Sequence, residues 1–166
     1  MTDEGLPERV ARAFERHDGF EEDGDGFVVA TTAFEGRVTA VEGPEYLYTV
    51  TVRVPTLDAA TTDEVGGAVA QGWFETFGRR LEDAPKATRA GVELETFAVE
   101  RDGPDVYVTY GFEWDDAERA ADIAKAFVEY VEGTYVEGIV PGYEYEPPVT
   151  GLIEGASQGE GTGTPL

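Results

Sequence analysis

The chain has 166 residues, no cysteine and a formal net charge of −23, because 35 acidic side chains outnumber 12 basic ones. This length suits a single domain. The lack of cysteine excludes disulfides, zinc–thiolate sites and a thiol nucleophile. The acidic residues in every segment argue against a nucleic-acid partner. The chain has no run of 18 apolar residues and begins without a basic, apolar leader, so we expect no membrane association and a cytoplasmic protein.

The first predicted element is a helix over residues 6–17, with Pro7 in its first turn and Gly19 just beyond its end. One helical arc carries Leu6, Val10, Ala13, Phe14 and His17. The acidic stretch 21–26 that follows has the carboxylates of a calcium loop, but Thr32 stands where the bidentate glutamate belongs. We therefore interpret this stretch as an acidic turn.

Residues 27–54 predict three strands. The turn between the first two could lie at Thr32-Ala33 or at Glu35-Gly36, and the residue pattern does not decide between them. The third strand is the clearest, because apolar and polar residues alternate along it. Its apolar positions are Tyr46, Tyr48, Val50, Val52 and Val54.

The second predicted helix begins at Thr61-Thr62-Asp63-Glu64, which matches a capping box. An apolar stripe follows at intervals of four: Val65, Val69, Trp73, Phe77 and Leu81. Four glycines interrupt the helix: Gly66, Gly67, Gly72 and Gly78. Since glycine weakens a helix by up to about 1 kcal/mol relative to alanine, we expect these residues to allow close approach of the helix to a sheet.

A basic cluster lies at the end of this helix and in the loop after it, and it consists of Arg79, Arg80, Lys86 and Arg89. In an otherwise acidic sequence, these four residues concentrate positive charge in one short stretch. The basic cluster is therefore a candidate site for binding an anion or a partner protein. The alternative is structural, because cations at a helix end stabilise the helix dipole and can pair with neighbouring acids.

Two more strands and a third helix complete the predicted core. Residues 91–101 predict a strand whose apolar residues change parity midway, which indicates either a bulge near Thr96 or burial on both faces. The next strand, from 105 to 114, has an apolar face as regular as that of residues 46–54. At Asp115 the spacing of apolar residues becomes helical, and it stays so to about residue 131. Asp115 and Glu118 have the spacing of a capping box at the start of this third helix.

The C-terminal part is predicted to be irregular. Residues beyond Gly133 contain aromatic and branched residues with three prolines, which suggest an extended strap laid over the body of the protein. From residue 154 onward, glycine and polar residues predict a disordered, acidic, Gly-rich tail. The predicted organisation is one α+β domain over residues 1–153 and a tail over 154–166.

The order of these elements is α-β-β-β-α-β-β-α. It predicts an α+β fold with an antiparallel sheet of about five strands and helices packed on one face. The two regular strands, 46–54 and 105–114, should place their apolar residues on the same face of that sheet, because the helix stripes need such a face to bury.

The inventory of reactive side chains argues against most catalysis. The single histidine, His17, lies at a helix end, and the single serine, Ser157, lies in the predicted tail, so a Ser-His-acid triad is not expected. The two lysines lack apolar surroundings, and no pair stands out among the 35 acids for glycosidase-type chemistry. We predict no catalytic residue, metal site or cofactor.

The composition, with ten arginines, two lysines and no asparagine, resembles that of proteins from extremely halophilic archaea. Together with the stretches Tyr-Val-Glu-Gly and Pro-Gly-Tyr-Glu-Tyr, it resembles an uncharacterised haloarchaeal family without an assigned activity. The element order over residues 6–135 resembles the α+β fold of type III secretion chaperones.

The resemblance to type III secretion chaperones implies a non-enzymatic, protein-binding or chaperone-like module. The alternatives are a sensor that binds a small anion at the basic cluster and a small enzyme that uses carboxylates. The partner would be another protein, and the oligomeric state stays open, with a dimer possible.

Overall fold

The computed structural model describes the backbone of residues 6–163 and the side chains of residues 6–156. The helices are α1 (Glu8–Glu15), α2 (Leu57–Ala60), α3 (Gly67–Leu81), α4 (Ala117–Glu137) and α5 (Val149–Gly163), with a 3-10 helix at Ala84–Ala87. The strands are β1 (Phe20–Asp23), β2 (Gly26–Val29), β3 (Glu35–Val41), β4 (Tyr46–Pro55), β5 (Thr96–Asp102) and β6 (Asp105–Trp114). The predicted α+β class with an antiparallel sheet is confirmed.

The six strands form one antiparallel sheet in the order β1-β2-β3-β4-β6-β5. In the ladder between β4 and β6, Val50 pairs with Tyr110, and Val52 pairs with Val108. These four side chains share one face of the sheet and are fully buried. Helix α4 packs on this face, α1 packs beside it against β1, and α3 and α5 contact α4. The opposite face keeps half-exposed side chains.

The sheet has one strand more than predicted, because the acidic stretch is not a simple turn. Its first half is strand β1, which pairs with β2 in a hairpin. Gly24 takes a positive φ of 63° at the hairpin turn. Phe20 anchors β1, since its ring lies 4.7 Å from that of Phe14 in α1. The turn between β2 and β3 lies around Thr32-Ala33, and Gly36 is inside β3.

The predicted capping box at residues 61–64 is wrong. Helix α3 begins at Gly67 with Gly66 as its N-cap residue. The hydroxyl of Thr61 instead donates to the carbonyl of Asp63, and its backbone bridges to Tyr145. This contact holds the segment after α4 against the body, and the irregular link that follows the short helix α2 occupies the place of the first predicted helical turn.

Helix α4 is longer than predicted, and its cap is shifted by one residue. The side chain of Asp116 accepts hydrogen bonds from the N–H groups of Glu118 and Arg119, so Asp116, not Asp115, is the N-cap. The helix continues through Gly133 to Glu137 because Thr134 and Tyr135 are buried and provide two more packed positions. Helix α5 gives helical backbone to much of the stretch predicted as a tail.

We expected the glycines in and before α3 to allow close packing of the helix against the sheet, but the structure shows that they do not. A Cβ added to Gly66, Gly67, Gly72 or Gly78 would meet no atom within 4 Å. The close approach occurs at Gly36 of β3, where an added Cβ would lie 2.5 Å from Cγ1 of Val128 in α4. Glycine at this position lets the helix sit directly on the strand.

Replacing Gly36 with alanine is therefore expected to destabilise the protein by about 1–3 kcal/mol, the usual cost of overpacking. Removing the opposing methyl groups with Val128→Ala should recover part of that loss, so the double variant should show a favourable interaction energy in thermal unfolding at molar salt. Gly78→Ala is the matched control, and it should stabilise the exposed helix by up to about 1 kcal/mol. Additive effects of Gly36→Ala and Val128→Ala would contradict the contact.

Candidate functional site

A groove of about 450 Å³ lies between α3 and the C-terminal end of α4. Its apolar lining consists of Val69, Trp73, Phe77, Ile139 and Val140. Its polar lining includes Thr76, Arg80, Thr134 and Glu137. A concave surface of this volume, mostly apolar with a few polar groups, is the usual form of a ligand site.

Helical spacing in α3 builds the floor. Trp73 and Phe77 lie one turn apart, their rings stack with centroids 5.2 Å apart, and both meet the ring of Tyr135 edge-on. Val69, one turn before Trp73, belongs to the same stripe but is 41% exposed. The predicted stripe thus splits: its C-terminal part is core, and its N-terminal part is open to the groove.

The width of the groove depends on a missing side chain. Gly72 lines it, and no atom lies within 4 Å of the position that a Cβ would take there. On the opposite wall, Gly138 follows the end of α4, and a Cβ there would lie 3.9 Å from Nε1 of Trp73. That indole N–H is buried and has no hydrogen-bond acceptor in the described part of the chain.

The four residues of the basic cluster are all exposed, but they have different surroundings. Lys86 Nζ lies 3.4 Å from Oδ1 of Asp83, and Arg79 donates to the hydroxyl of Thr76 over 3.4 Å. Arg80 lines the groove, whereas Arg79, Lys86 and Arg89 do not. Among residues 6–156, the three arginines have no carboxylate within 4.0 Å. Arg80 therefore links the basic cluster to a cavity.

The carboxylates of the described residues lie at the surface. None is buried, and Asp105 and Glu132 are half-buried while the others are exposed. Within residues 6–156, no group of three or more His, Asp or Glu side chains is placed to hold a metal ion. The acids thus form a skin around the domain.

His17 has a structural role in the fold. The N–H of Gly19 donates to its Nδ1 over 3.0 Å, so Nε2 carries the ring proton. Nε2 donates in turn to Oδ1 of Asp122 over 2.7 Å. The imidazole thereby ties α1 to α4.

The buried tyrosines also hold elements together. Burial raises the pKa of Tyr110 and of Tyr135 well above the usual phenol value, so both stay neutral. Tyr110 donates to the carbonyl of Leu81 at the end of α3, and Tyr135 donates to the carbonyl of Pro55. These bonds fix α3 and α4 on the sheet and thereby fix the walls of the groove.

Part of the groove was not predictable from the residue pattern. Glu137, Gly138 and Ile139 enter it because α4 extends beyond residue 131, which the sequence interpretation gave as the approximate end of the helix. The available signal was Tyr135, which follows Val131 by four residues, but Gly133 between them favoured an early end.

Among the described residues, no helix is both long and apolar enough to cross a membrane. The comparison with curated proteins found no match. The comparison with solved structures also found none, so the resemblance to type III secretion chaperones remains a prediction. A family model matches residues 15–155, and the chain belongs to this family of unknown function, DUF5813.

Proposed function

We propose that the protein is a non-enzymatic protein-binding module of a halophilic archaeal cytoplasm, and that the groove between α3 and α4 binds an apolar segment of a partner protein that carries a carboxylate. The observation that supports this function most directly is the position of Arg80. Arg80 lines an open apolar groove, and its guanidinium has no carboxylate within 4.0 Å among residues 6–156.

The apolar part of the groove supplies the binding energy. Val69 is one of two large hydrophobic side chains that are exposed in the described part of the chain, the other being Val41. A partner side chain that covers Val69 and the ring of Trp73 gains about 0.8 kcal/mol for each buried CH₂ group. Molar salt does not weaken this contribution, since salts that are excluded from protein surfaces strengthen apolar burial.

The charge of Arg80 supplies the selectivity. A net charge of −23 repels anions from most of the surface, so an anionic group is attracted only beside a cation without an acidic partner. At molar salt the Debye length is about 3 Å, so the attraction requires direct contact. The planar guanidinium offers such a contact through two parallel hydrogen bonds to a carboxylate. Glu137 on the opposite wall disfavours a second negative charge.

The halophilic part of the proposal rests on the acidic skin. Eight carboxylates of residues 6–156 lie within 4.0 Å of a basic side chain or His17, and most of the carboxylates in this range have no such neighbour within it. A surface with this excess of unpaired acids suits a solvent of molar salt, where repulsion is screened. The resemblance to chaperone-like proteins agrees with a groove that takes an apolar segment.

Fluorescence titration of Trp73 tests the proposed function. Trp114→Phe makes Trp73 the single tryptophan, and the probes are N-acetyl-Leu-Leu-Phe with a free carboxylate and the same peptide as its amide. In about 3 M KCl, we expect the carboxylate form to bind more tightly. Arg80→Gln should weaken its binding by about 10-fold or more, as expected for a lost charge-assisted hydrogen bond, and leave the amide unaffected.

Two neighbouring residues provide matched controls. Arg79→Gln removes the same charge from a residue that does not line the groove, and it should bind like the unmodified protein. Gly72→Leu should fill the groove and abolish binding of both peptides, whereas Gly78→Leu on the same helix should not. A Gly72→Leu variant that binds normally would refute the groove. Competition by acetate as strong as that by the peptide would instead favour the small-anion sensor.

A further inference from the structure

The stretch of residues 64–72, which contains the first two turns of α3, has few contacts with the core. Seven of its nine residues are exposed, while Ala70 and Val65, which packs against the core, are half-buried. Outside α3, one hydrogen bond reaches this stretch in the described part of the chain, from Arg101 of β5 to Oε1 of Gln71 over 3.2 Å. Segments with few buried apolar contacts open locally at a low cost in free energy.

Both ends of this stretch are fixed. Before it, the N–H of Thr62 donates to the carbonyl of Glu144 over 2.9 Å, and Oδ2 of Asp63 accepts from the N–H of Glu144 over 2.7 Å. After it, Trp73 is buried in the core. Residues 64–72 therefore connect two fixed points, and the half-buried side chain of Val65 and the exposed hydrogen bond to Gln71 are the contacts that hold them in between.

The helical part of the stretch is weak by its own sequence. Gly72 lies inside the helix, where glycine is less favourable than any other residue except proline, and packing does not require it because an added Cβ would meet no atom within 4 Å. The N-cap residue Gly66 offers no side-chain acceptor, and the first turn contains no acid. By contrast, α4 begins with the cap of Asp116 and with Glu118. Two turns without such support need packing to persist.

The same two turns form part of the groove between α3 and α4. Ala68, Val69 and Gly72 line it from this weak part of the helix, and Trp73 and Phe77 line it from the buried part. Unwinding of the first two turns would remove the first three residues from the groove and leave the two aromatic rings in place. The groove thus combines a fixed floor with a wall that exists only while a weak helix is formed.

We propose that residues 64–72 form a lid that opens while the rest of the domain stays folded, and that a partner segment in the groove closes it. The closing by a partner rests on the proposed function of the groove. A ligand that covers Val69 gains this contact only when the helix is formed, so binding shifts the population toward the closed form. The measured affinity is that of the closed form multiplied by the closed fraction, so the stability of the lid controls binding.

Amide hydrogen exchange in about 3 M KCl, followed by NMR, tests whether the lid opens. The reporter is the N–H of Ala70, which donates to the carbonyl of the N-cap residue Gly66 over 3.0 Å. The N–H of Ala120 has the same position in α4 and donates to the carbonyl of Asp116 over 2.9 Å. We expect the protection factor of Ala70 to be lower than that of Ala120 by about 100-fold or more, because local opening costs far less than global unfolding. Equal protection of the two amides would overturn the lid.

Two glycine substitutions in α3 show whether the lid opens by itself. Gly72→Ala should raise the protection factor of Ala70 by about 5-fold, because alanine stabilises the helical form of the lid. Gly78→Ala makes the same change in the buried half of α3, also at a position with free space, and it should leave the protection of Ala70 unchanged. An equal gain from both substitutions would mean that α3 opens as one unit, and the lid as defined here would not exist.

The closing by a partner is tested with the free-carboxylate form of N-acetyl-Leu-Leu-Phe. At about 100 times its Kd, this peptide should raise the protection factor of Ala70 by about 10-fold or more. Arg80→Gln at the same peptide concentration should lose most of this gain. A peptide that binds in the fluorescence titration without slowing exchange at Ala70 would overturn the coupling and leave the proposed function intact. A lack of peptide binding would overturn both, while exchange in the free protein would still decide whether the lid opens.

Discussion

Replacing Val108 with aspartate is expected to unfold the protein at any salt concentration. Val108 is fully buried in the interior strand β6, where it pairs with Val52 of β4 and Val99 of β5. A carboxylate at this position would have neither water nor a cation near it, and burying an unpaired charge costs several kcal/mol or more. That cost is comparable to the whole stability of a typical domain, which is about 5–15 kcal/mol.

The next residue on the same strand provides the control. Thr109 points to the open face, so Thr109→Asp should leave the fold intact. Circular dichroism and the dispersion of amide resonances would show a random chain for Val108→Asp and a native spectrum for Thr109→Asp. A folded, soluble Val108→Asp protein would mean that the buried face of the sheet has been assigned incorrectly.

Transfer from about 3 M to 0.1 M KCl is expected to lower the midpoint of thermal unfolding strongly or to unfold the chain at room temperature. The net charge is −23, and the carboxylates of residues 6–156 lie at the surface and mostly lack a basic neighbour in that range. In dilute buffer their mutual repulsion favours an expanded chain, and at molar salt it is screened. The measurement is a series of circular-dichroism melts across salt concentrations.

Charge variants separate this repulsion from general effects of salt on apolar burial. Replacing exposed acids that have no basic partner in the described part of the chain, such as Glu42, Glu45, Glu93 and Glu95, with glutamine should raise the midpoint in 0.1 M KCl. The same variant should change little in 3 M KCl. If the unmodified protein melts at the same temperature in both salts, charge repulsion does not govern its stability.

The fold was predictable from the sequence where a pattern repeats over many residues. Apolar and polar residues alternate along the ten residues of β4 and of β6, and the apolar side chains of both strands lie on the same face of the sheet, as expected. Strand β1 was missed because one apolar residue, Phe20, anchors it, and a period cannot be seen in one residue. The role of Gly36 was missed because Val128, which it contacts, lies on a distant helix.

The candidate site was predictable only in pieces. The basic cluster and the stripe of α3 identified Arg80, Trp73 and Phe77, but as two separate features, one for binding and one for the core. They line one groove because α4 ends at Glu137, so that Gly138 and the residues after it form the opposite wall. Neither the charge pattern nor the hydrophobic periodicity of the sequence predicts that α3 and the C-terminal end of α4 lie side by side.

The strand order also determines how the chain can assemble. Strands β1 to β4 are sequential hairpins, and β5 with β6 is another hairpin, so both units contain short-range pairings. The ladder of β4 and β6 is the seam between them, and closing it orders the loop that contains α2 and α3. Since closing a long loop costs entropy before its contacts form, we expect this seam to form later than the hairpins. We therefore expect the groove between α3 and α4 to form only after the two halves have joined.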